Sequence, residues 1–332
     1  MTKTAMRVVS GIQPTGGLHL GNLLGAILRW VRMQDEAQCL YFLADLHALT
    51  VDVEPAELRS NVREMAAALI ASGIDPKKSI IFRQSAIPAH AELAWILQGT
   101  ARMGWLNRMT QWKDKAGKNQ EGSSVGLFTY PVLQAADILL YRAELVPVGE
   151  DQLQHLELSR EISRKWNARF DAPAHSFFPE PKGLLTPARR IMGLDGQSKM
   201  SKSLGNTVDL LEDPKSIWEK LKPAVTDPKR VRRTDPGTPE VCNIYHLHKA
   251  FSPPETVEHV AVQCRTAGWG CIDCKKVLHE SMEKELAPIR ARAKEIAANP
   301  QKMKKDLAAG AEHARSVASG TMTEVKKKMG LA

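Results

Sequence analysis

The stretch Pro14-Thr15-Gly16-Gly17-Leu18-His19-Leu20-Gly21-Asn22 constrains this 332-residue chain more than any other. It follows the apolar pair Val8-Val9 and precedes an amphipathic pattern that begins near Leu23. Strand, glycine-rich turn and helix, in that order, offer backbone N–H groups and a helix N-terminus to a phosphate. The glycines let the backbone approach a ligand closely, although a glycine pattern alone also describes an ordinary βα turn. His19 and Asn22 sharpen the signal. Three residues apart on a first helical turn, they face one way and can both donate to one phosphate group.

A second stretch, Lys199-Met200-Ser201-Lys202-Ser203, lies downstream in a loop rich in Gly, Ser and Asp. Its paired lysines suit a pyrophosphate whose negative charge develops late in a reaction, whereas an isolated pair would read as a solvated charge run. Apolar runs at 6–11, 39–44, 79–82 and 145–148 alternate with helical patterns such as 23–33 and 55–70. That alternation predicts an α/β fold, a Rossmann-like doubly wound parallel sheet. Asp45–Thr50 then falls at the carboxyl end of the second strand, where open sheets place ligand-binding loops. Residues 86–125 read as helical, loosening into a polar surface loop at 113–122. Tyr130, Gln134 and Asp137, spaced 4 and 3, share one face of an otherwise apolar helix. Burying such a polar triad is costly unless it binds something.

No run of about 18 apolar residues exists, so no membrane span is expected. Residues 1–6 enter a strand without the apolar stretch of a signal peptide, which predicts a cytoplasmic protein. The net charge of +9 favours a polyanionic partner, and residues 275–332 carry 13 Lys and Arg against 7 Asp and Glu. Beyond Ser203 the pattern turns helical and basic, with proline connectors from Pro214 to Pro239. The expected division is a catalytic domain at 1–205 and a helical C-terminal domain that holds nucleic acid at 206–332. Lys229-Arg230-Val231-Arg232-Arg233 reads as a phosphate contact or as a solvated loop.

Cys39 sits in a core strand and reads as a small hydrophobe. Cys242, Cys264, Cys271 and Cys274 cluster instead, with 21, 6 and 2 residues between successive members. In an intracellular chain such grouping favours a metal over disulfides, with free thiols as the other reading. A zinc site usually pairs two C-x-x-C knuckles, and here there is one. Lys275 and Lys276 beside the cluster are expected to lower the thiol pKa values.

Taken together, His19-Leu20-Gly21-Asn22 and Lys199–Ser203 resemble the HIGH and KMSKS signatures of class I aminoacyl-tRNA synthetases. Asp45–Thr50, Arg108–Lys115, Tyr130–Tyr141 and Gly149–His155 resemble the bacterial tryptophanyl-tRNA synthetase family, and the likeness spans residues 6–290. The resemblance implies activation of L-tryptophan by ATP with Mg²⁺, then transfer to tRNA(Trp), by a homodimer. It implies that His19, Asn22, Lys199 and Lys202 stabilise charge during the reaction. ATP would contact Gln13, Pro14, Thr15, Gly21, Asn22, Gly149, Glu150, Asp151, Ile191, Lys199, Met200, Ser201, Lys202 and Ser203. Asp137 would accept the indole N–H, and Tyr130 and Gln152 would hold the amino and carboxylate ends, with Gln13 and His47 alongside. Gln134 departs from the methionine common in the family. Gly270–Lys276 resembles members that carry a 4Fe–4S cluster near the anticodon region, with zinc as the alternative. Two rivals remain, a tyrosyl-type synthetase and a non-catalytic paralogue that binds RNA or tryptophan. Ala135-Ala136-Asp137 disfavours the first, and intact signature motifs disfavour the second.

Overall fold

The computed structural model describes residues 6–117, 121–171, 176–185, 192–201 and 204–332. Five short runs become the strands of one sheet: β1 Arg7–Ile12, β2 Gln38–Leu43, β3 Ile80–Arg83, β4 Leu145–Val148 and β5 Lys182–Leu185. Every pairing is parallel, and the order is β3-β2-β1-β4-β5. β1 pairs with β2 along its length, from Arg7 opposite Gln38 to Ile12 opposite Leu43, but meets β4 at the single pair Val8 and Leu145. Strand order reverses at β1, and the carboxyl ends beside such a reversal form the usual ligand crevice of an open sheet.

The first four strands lie within one residue of the apolar runs that predict them. β5 is not anticipated, because Lys182-Gly183-Leu184-Leu185 is too short to show a period. Gly183 is needed there, since a Cβ would lie 2.9 Å from the side chain of Leu156.

The chain divides into two compact units. The first comprises Met1–Gly16, Trp30–Thr186 and Asn299–Ala332, and the second Gly17–Arg29 and Pro187–Ala298. These limits differ from a split at residue 205. The first unit holds the whole sheet and a core that includes Phe42, Phe82, Trp166 and Phe178. It also holds the final helix, Pro300–Met329, which contributes Ala311, Ala314, Ala318 and Val325 to that core. Small residues permit this return. At Gly310 the helix passes so close to β3 that a Cβ would lie 2.1 Å from the Ile81 carbonyl oxygen. Arg315 donates to the Ala86 carbonyl at 3.2 Å, and Lys328 pairs with Asp171 at 2.6 Å.

The second unit is built mainly from the helices Pro214–Leu221, Asn243–Phe251, Pro254–Arg265 and Cys271–Ala298. Asp213 starts the first of these by accepting from the Ser216 N–H at 3.0 Å, with Pro214 at the opening position. Leu278, Met282, Leu286 and Ile289 form the buried seam of the longest. Among the described residues no helix is long and apolar enough to cross a membrane.

Candidate active site and cysteine cavity

In the first unit, the turn after β2 is tied to the turn after β3. Gln84 Oε1 accepts from the Leu46 N–H at 3.1 Å, and Asp45 Oδ1 accepts from the Ser85 N–H at 2.8 Å. The first bond fixes the Gln84 amide, whose Nε2 donates to Asp137 Oδ1 at 2.7 Å. Asp137 lies on the helix Val125–Leu139 with Tyr130 and Gln134, as the 4-and-3 spacing predicts. Ser124 caps that helix by accepting from the Leu127 N–H at 3.1 Å.

Asp137 is 2% exposed. His90 Nδ1 lies 2.6 Å from its Oδ1 and His47 Nε2 lies 2.8 Å from its Oδ2. Burial raises the carboxyl pKa, but the hydrogen bonds from His47 and His90 outweigh it and hold the group below its ordinary value. Behind the site, His90 Nε2 lies 2.8 Å from the Tyr141 hydroxyl. Sequence reasoning missed Gln84, His90 and Tyr141 as site residues. Gln84 and His90 each stand on a separate element with no motif spacing to expose them, whereas Tyr141, four residues beyond Asp137, continues the spacing of Tyr130, Gln134 and Asp137 and could have been found.

Tyr130 Oη lies 2.8 Å from His155 Nε2. Burial pushes the phenol up to about 12 and, reinforced by Lys115, pushes His155 down to about 4. His155 is therefore uncharged at neutral pH. His47 is oriented through its carbonyl, which accepts from Gln13 Nε2 at 3.2 Å and from Thr50 Oγ1 at 2.9 Å. Gln134 donates to Gln152 Oε1 at 3.4 Å, and Gln152 donates to Asp151 Oδ2 at 2.9 Å. Gly149, Glu150 and Asp151 make the turn after β4, where a Cβ on Gly149 would lie 2.7 Å from Asp151 Oδ1. Pro14 and Thr15 follow β1, with the Thr15 N–H on the Gln13 carbonyl at 2.9 Å.

The second unit brings the two signature motifs side by side. Leu20 donates to the Val208 carbonyl at 3.0 Å and Leu210 to the Leu18 carbonyl at 2.8 Å. His19 is extended, at φ −112° and ψ 170°, and leads into the turn Leu20–Asn22. Its ring folds over Gly21, where a Cβ would lie 2.9 Å from the imidazole and 3.6 Å from Met200 Cβ. A side chain at position 21 would therefore have to displace the His19 ring. Asn22 Oδ1 accepts from the His19 backbone N–H at 3.0 Å. That bond engages the amide by its oxygen and leaves Nδ2, the only donor an asparagine side chain has, for the phosphate role expected of it. A π-helical segment, Leu23–Ile27, follows where a regular helix is predicted.

The lysine loop is pinned by Asn206, which is 6% exposed. Its Oδ1 accepts from the Ser201 N–H at 2.8 Å and its Nδ2 donates to Asp195 Oδ2 at 2.9 Å. Gly193 makes room for it, since a Cβ there would lie 2.1 Å from Asn206 Nδ2. Lys199 is exposed while Met200 is buried. Ile191, Lys202 and Ser203 lie outside the described residues. This anchoring of the loop by Asn206 is not revealed by the pentapeptide alone.

Cys242, Cys264, Cys271 and Cys274 line one cavity together with Arg230, Ile244, Val260 and Trp269. Arg230 Nη1 points at Cys264 Sγ from 3.9 Å, while Nη2 donates to the Trp269 carbonyl at 2.6 Å. Arg230 is thus engaged in the cavity wall, which corrects its reading as a phosphate contact. A Cβ on Gly237 would lie 2.6 Å from Cys264 Sγ. Burial raises the pKa of Cys242, Cys264 and Cys274, the last to about 12, with neighbouring thiols adding to it. The lowering expected from Lys275 is not found. Its ammonium is buried and donates to the carbonyls of Lys222 and Ala224 at 2.6 and 2.7 Å.

Burial thus favours the neutral form of these three thiols in the absence of a positive charge beside them. Four sulfurs around one cavity, with an N–H donor aimed at one of them, are a donor set that fits an iron–sulfur group. Among the described residues, no group of three or more His, Cys, Asp or Glu is arranged to hold a single metal ion.

The family of class I tRNA synthetases for W and Y, tryptophan and tyrosine, matches residues 1–287. The tryptophan–tRNA ligase of Deinococcus radiodurans is 50% identical over 98% of each chain. That of Caulobacter vibrioides is 47% identical over 98% of this chain and 95% of its own. A crystal structure of Campylobacter jejuni tryptophanyl-tRNA synthetase, complexed with ADP and tryptophan, matches with a TM-score of 0.89 at 36% identity. It covers 98% of this chain and 100% of that one. With the parallel sheet, the paired signature motifs and these relatives in place, the chain belongs to the class I aminoacyl-tRNA synthetases and, within them, to the tryptophan–tRNA ligases.

Proposed function

We propose that the carboxylate of L-tryptophan attacks the α-phosphorus of ATP, giving tryptophanyl-adenylate and pyrophosphate, and that the acyl group then passes to the 3′ end of tRNA(Trp). The observation that carries this reading is Asp137, a buried carboxylate held ionised by Gln84, His90 and His47. An indole offers one buried donor and needs one fixed acceptor. Tyr130 and Gln152 take the amino and carboxylate ends, with Gln13 and His47 beside them and Gln134 steadying Gln152. The nucleotide is assigned to Gln13–Thr15 and Gly149–Asp151 of the first unit. By resemblance to the family, Gly21, Asn22, Ile191 and Lys199–Ser203 are also expected to contact ATP.

No nucleophilic side chain is required. His19, Asn22, Lys199 and Lys202 act by positioning and by stabilising charge that develops on the phosphates. Mg²⁺ would be held chiefly through the phosphates of ATP and would supply charge stabilisation there. The test is amino-acid-dependent ATP–pyrophosphate exchange across tryptophan, tyrosine and phenylalanine. Exchange at least about a hundredfold stronger with tryptophan is expected, because the wrong ligand leaves a buried acceptor unpaired. Equal rates with tyrosine would overturn the assignment.

We also propose that Cys242, Cys264, Cys271 and Cys274 hold a 4Fe–4S cluster, which would rigidify a tRNA-contacting surface. The shared cavity and the Arg230 donor support this. Anaerobically purified protein should be brown with about four irons per chain. Colourless protein with one zinc, or four freely titrating thiols, would overturn it. The exposed Trp95, Met103 and Val125 support a homodimer, to be checked by sedimentation against the 36.7 kDa chain. The basic C-terminal region supports tRNA as the polyanionic partner, and tRNA charging agrees with a cytoplasmic location.

A further inference from the structure

We infer that the indole N–H is read by Asp137 Oδ2 alone, and that His90 is the positioning residue that makes it so by occupying Oδ1 together with Gln84. The inference rests on the proposal that Asp137 is the indole acceptor.

A carboxylate oxygen accepts about two hydrogen bonds. Oδ1 receives Gln84 Nε2 at 2.7 Å and His90 Nδ1 at 2.6 Å, while Oδ2 receives His47 Nε2 at 2.8 Å. The direction of each bond is settled by the partners. Gln84 must turn its Oε1 to the Leu46 N–H, so its Nε2 faces Asp137. An ionised Asp137 only accepts, so both histidine nitrogens that face it carry protons. Oδ1 is then filled and Oδ2 keeps one site, beside the His47 bond.

His90 is set before any ligand arrives. It is fully buried, and its ring packs against Phe42, Phe82 and Tyr141 with centroids 5.7, 6.0 and 5.4 Å away. The hydroxyl of Tyr141, also fully buried, fixes the far side of the ring at 2.8 Å from Nε2. Rotation about the Asp Cβ–Cγ bond is soft by itself. Without the His90 N–H, Oδ1 regains an open lone pair and the carboxylate can turn, so a donor no longer meets a single acceptor.

The experiment compares ATP–pyrophosphate exchange with tryptophan and with β-(benzothiophen-3-yl)alanine, in which sulfur replaces the ring N–H. The parent enzyme should strongly prefer tryptophan. His90→Phe should lose about tenfold or more of that preference through the tryptophan KM, with kcat and the analogue little changed. His90→Gln keeps a donor and should recover part of the loss. Tyr141→Phe removes only the bond behind the ring and should fall between. Full parental preference in His90→Phe, or an equal loss with both compounds, overturns the role of His90 and leaves Asp137 as the reader. Should His90→Phe fail to fold, full parental preference in Tyr141→Phe overturns it in the same way. A parent enzyme that uses both compounds equally overturns the Asp137 reading itself.

Discussion

At Asp137, three donors make a charge tolerable in a position that is only 2% exposed. Its folded pKa is below the unfolded value of about 3.9. Its contribution to stability is therefore present above that value and lost as pH falls through the folded pKa. Tryptophan KM should show no titration of this group between about pH 6 and 8. Asp137→Ala should raise the tryptophan KM about tenfold or more, relax discrimination against tyrosine, and lower Tm because two buried donors, Gln84 and His90, lose their acceptor. Exchange kinetics and thermal melting check both effects, and unchanged discrimination would remove Asp137 as the reader. Asn206→Ala is expected to act on the other quantity. It frees the Ser201 N–H from its buried partner, so kcat for adenylate formation should fall about tenfold while the tryptophan KM stays put. Asp137 was legible in the sequence because it shares a helical face with Tyr130. Asn206, Gln84 and His90 were not, since the hydrogen bonds through which each acts follow no sequence pattern.

Elements were legible where one run of sequence carries its own period. β1 to β4 are apolar runs buried on both faces, as parallel strands require. The irregular elements escaped: β5, with its glycine against Leu156, and the π segment after Asn22. The last helix, Pro300–Met329, was legible as a helix but not as part of the sheet unit, because alanine and glycine give a weak apolar signal. Two glycines within it allow a test of that packing. Gly310 has the Ile81 carbonyl 2.1 Å from where a Cβ would stand, whereas Gly320 has nothing within 4 Å. Helix propensity alone would have both alanine substitutions stabilise by roughly 0.5–1 kcal/mol. Gly320→Ala should do so, and Gly310→Ala should instead lower Tm, because backbone cannot yield as a flexible side chain can. Two upward shifts in Tm would mean the helix does not sit on β3 as described.

On the scale of the whole molecule, acid stability separates the carboxylates from the histidines. The carboxyl groups with shifted pKa values, among them Asp137, Glu157 and Asp195, are all held below their ordinary values. Their contributions persist until pH falls below about 4. His155 in the first unit and His248 in the second behave differently, for burial drives both down to about 4. In the unfolded chain each takes up a proton near pH 6.5, whereas the folded chain resists until about 4. Between those values the unfolded state binds more protons, so stability declines as pH falls, by about 1 kcal/mol per pH unit for each group. The protein should therefore begin to lose Tm near pH 6, well before its carboxylates titrate. His155→Gln keeps a hydrogen-bonding partner for Tyr130 and removes one of the two titrations. Its Tm should fall less steeply between pH 6.5 and 4.5 than the parent's, with the His248 share remaining. Melting curves over that range decide the matter. Parallel slopes for variant and parent would show that His155 is not the buried, uncharged partner of Tyr130.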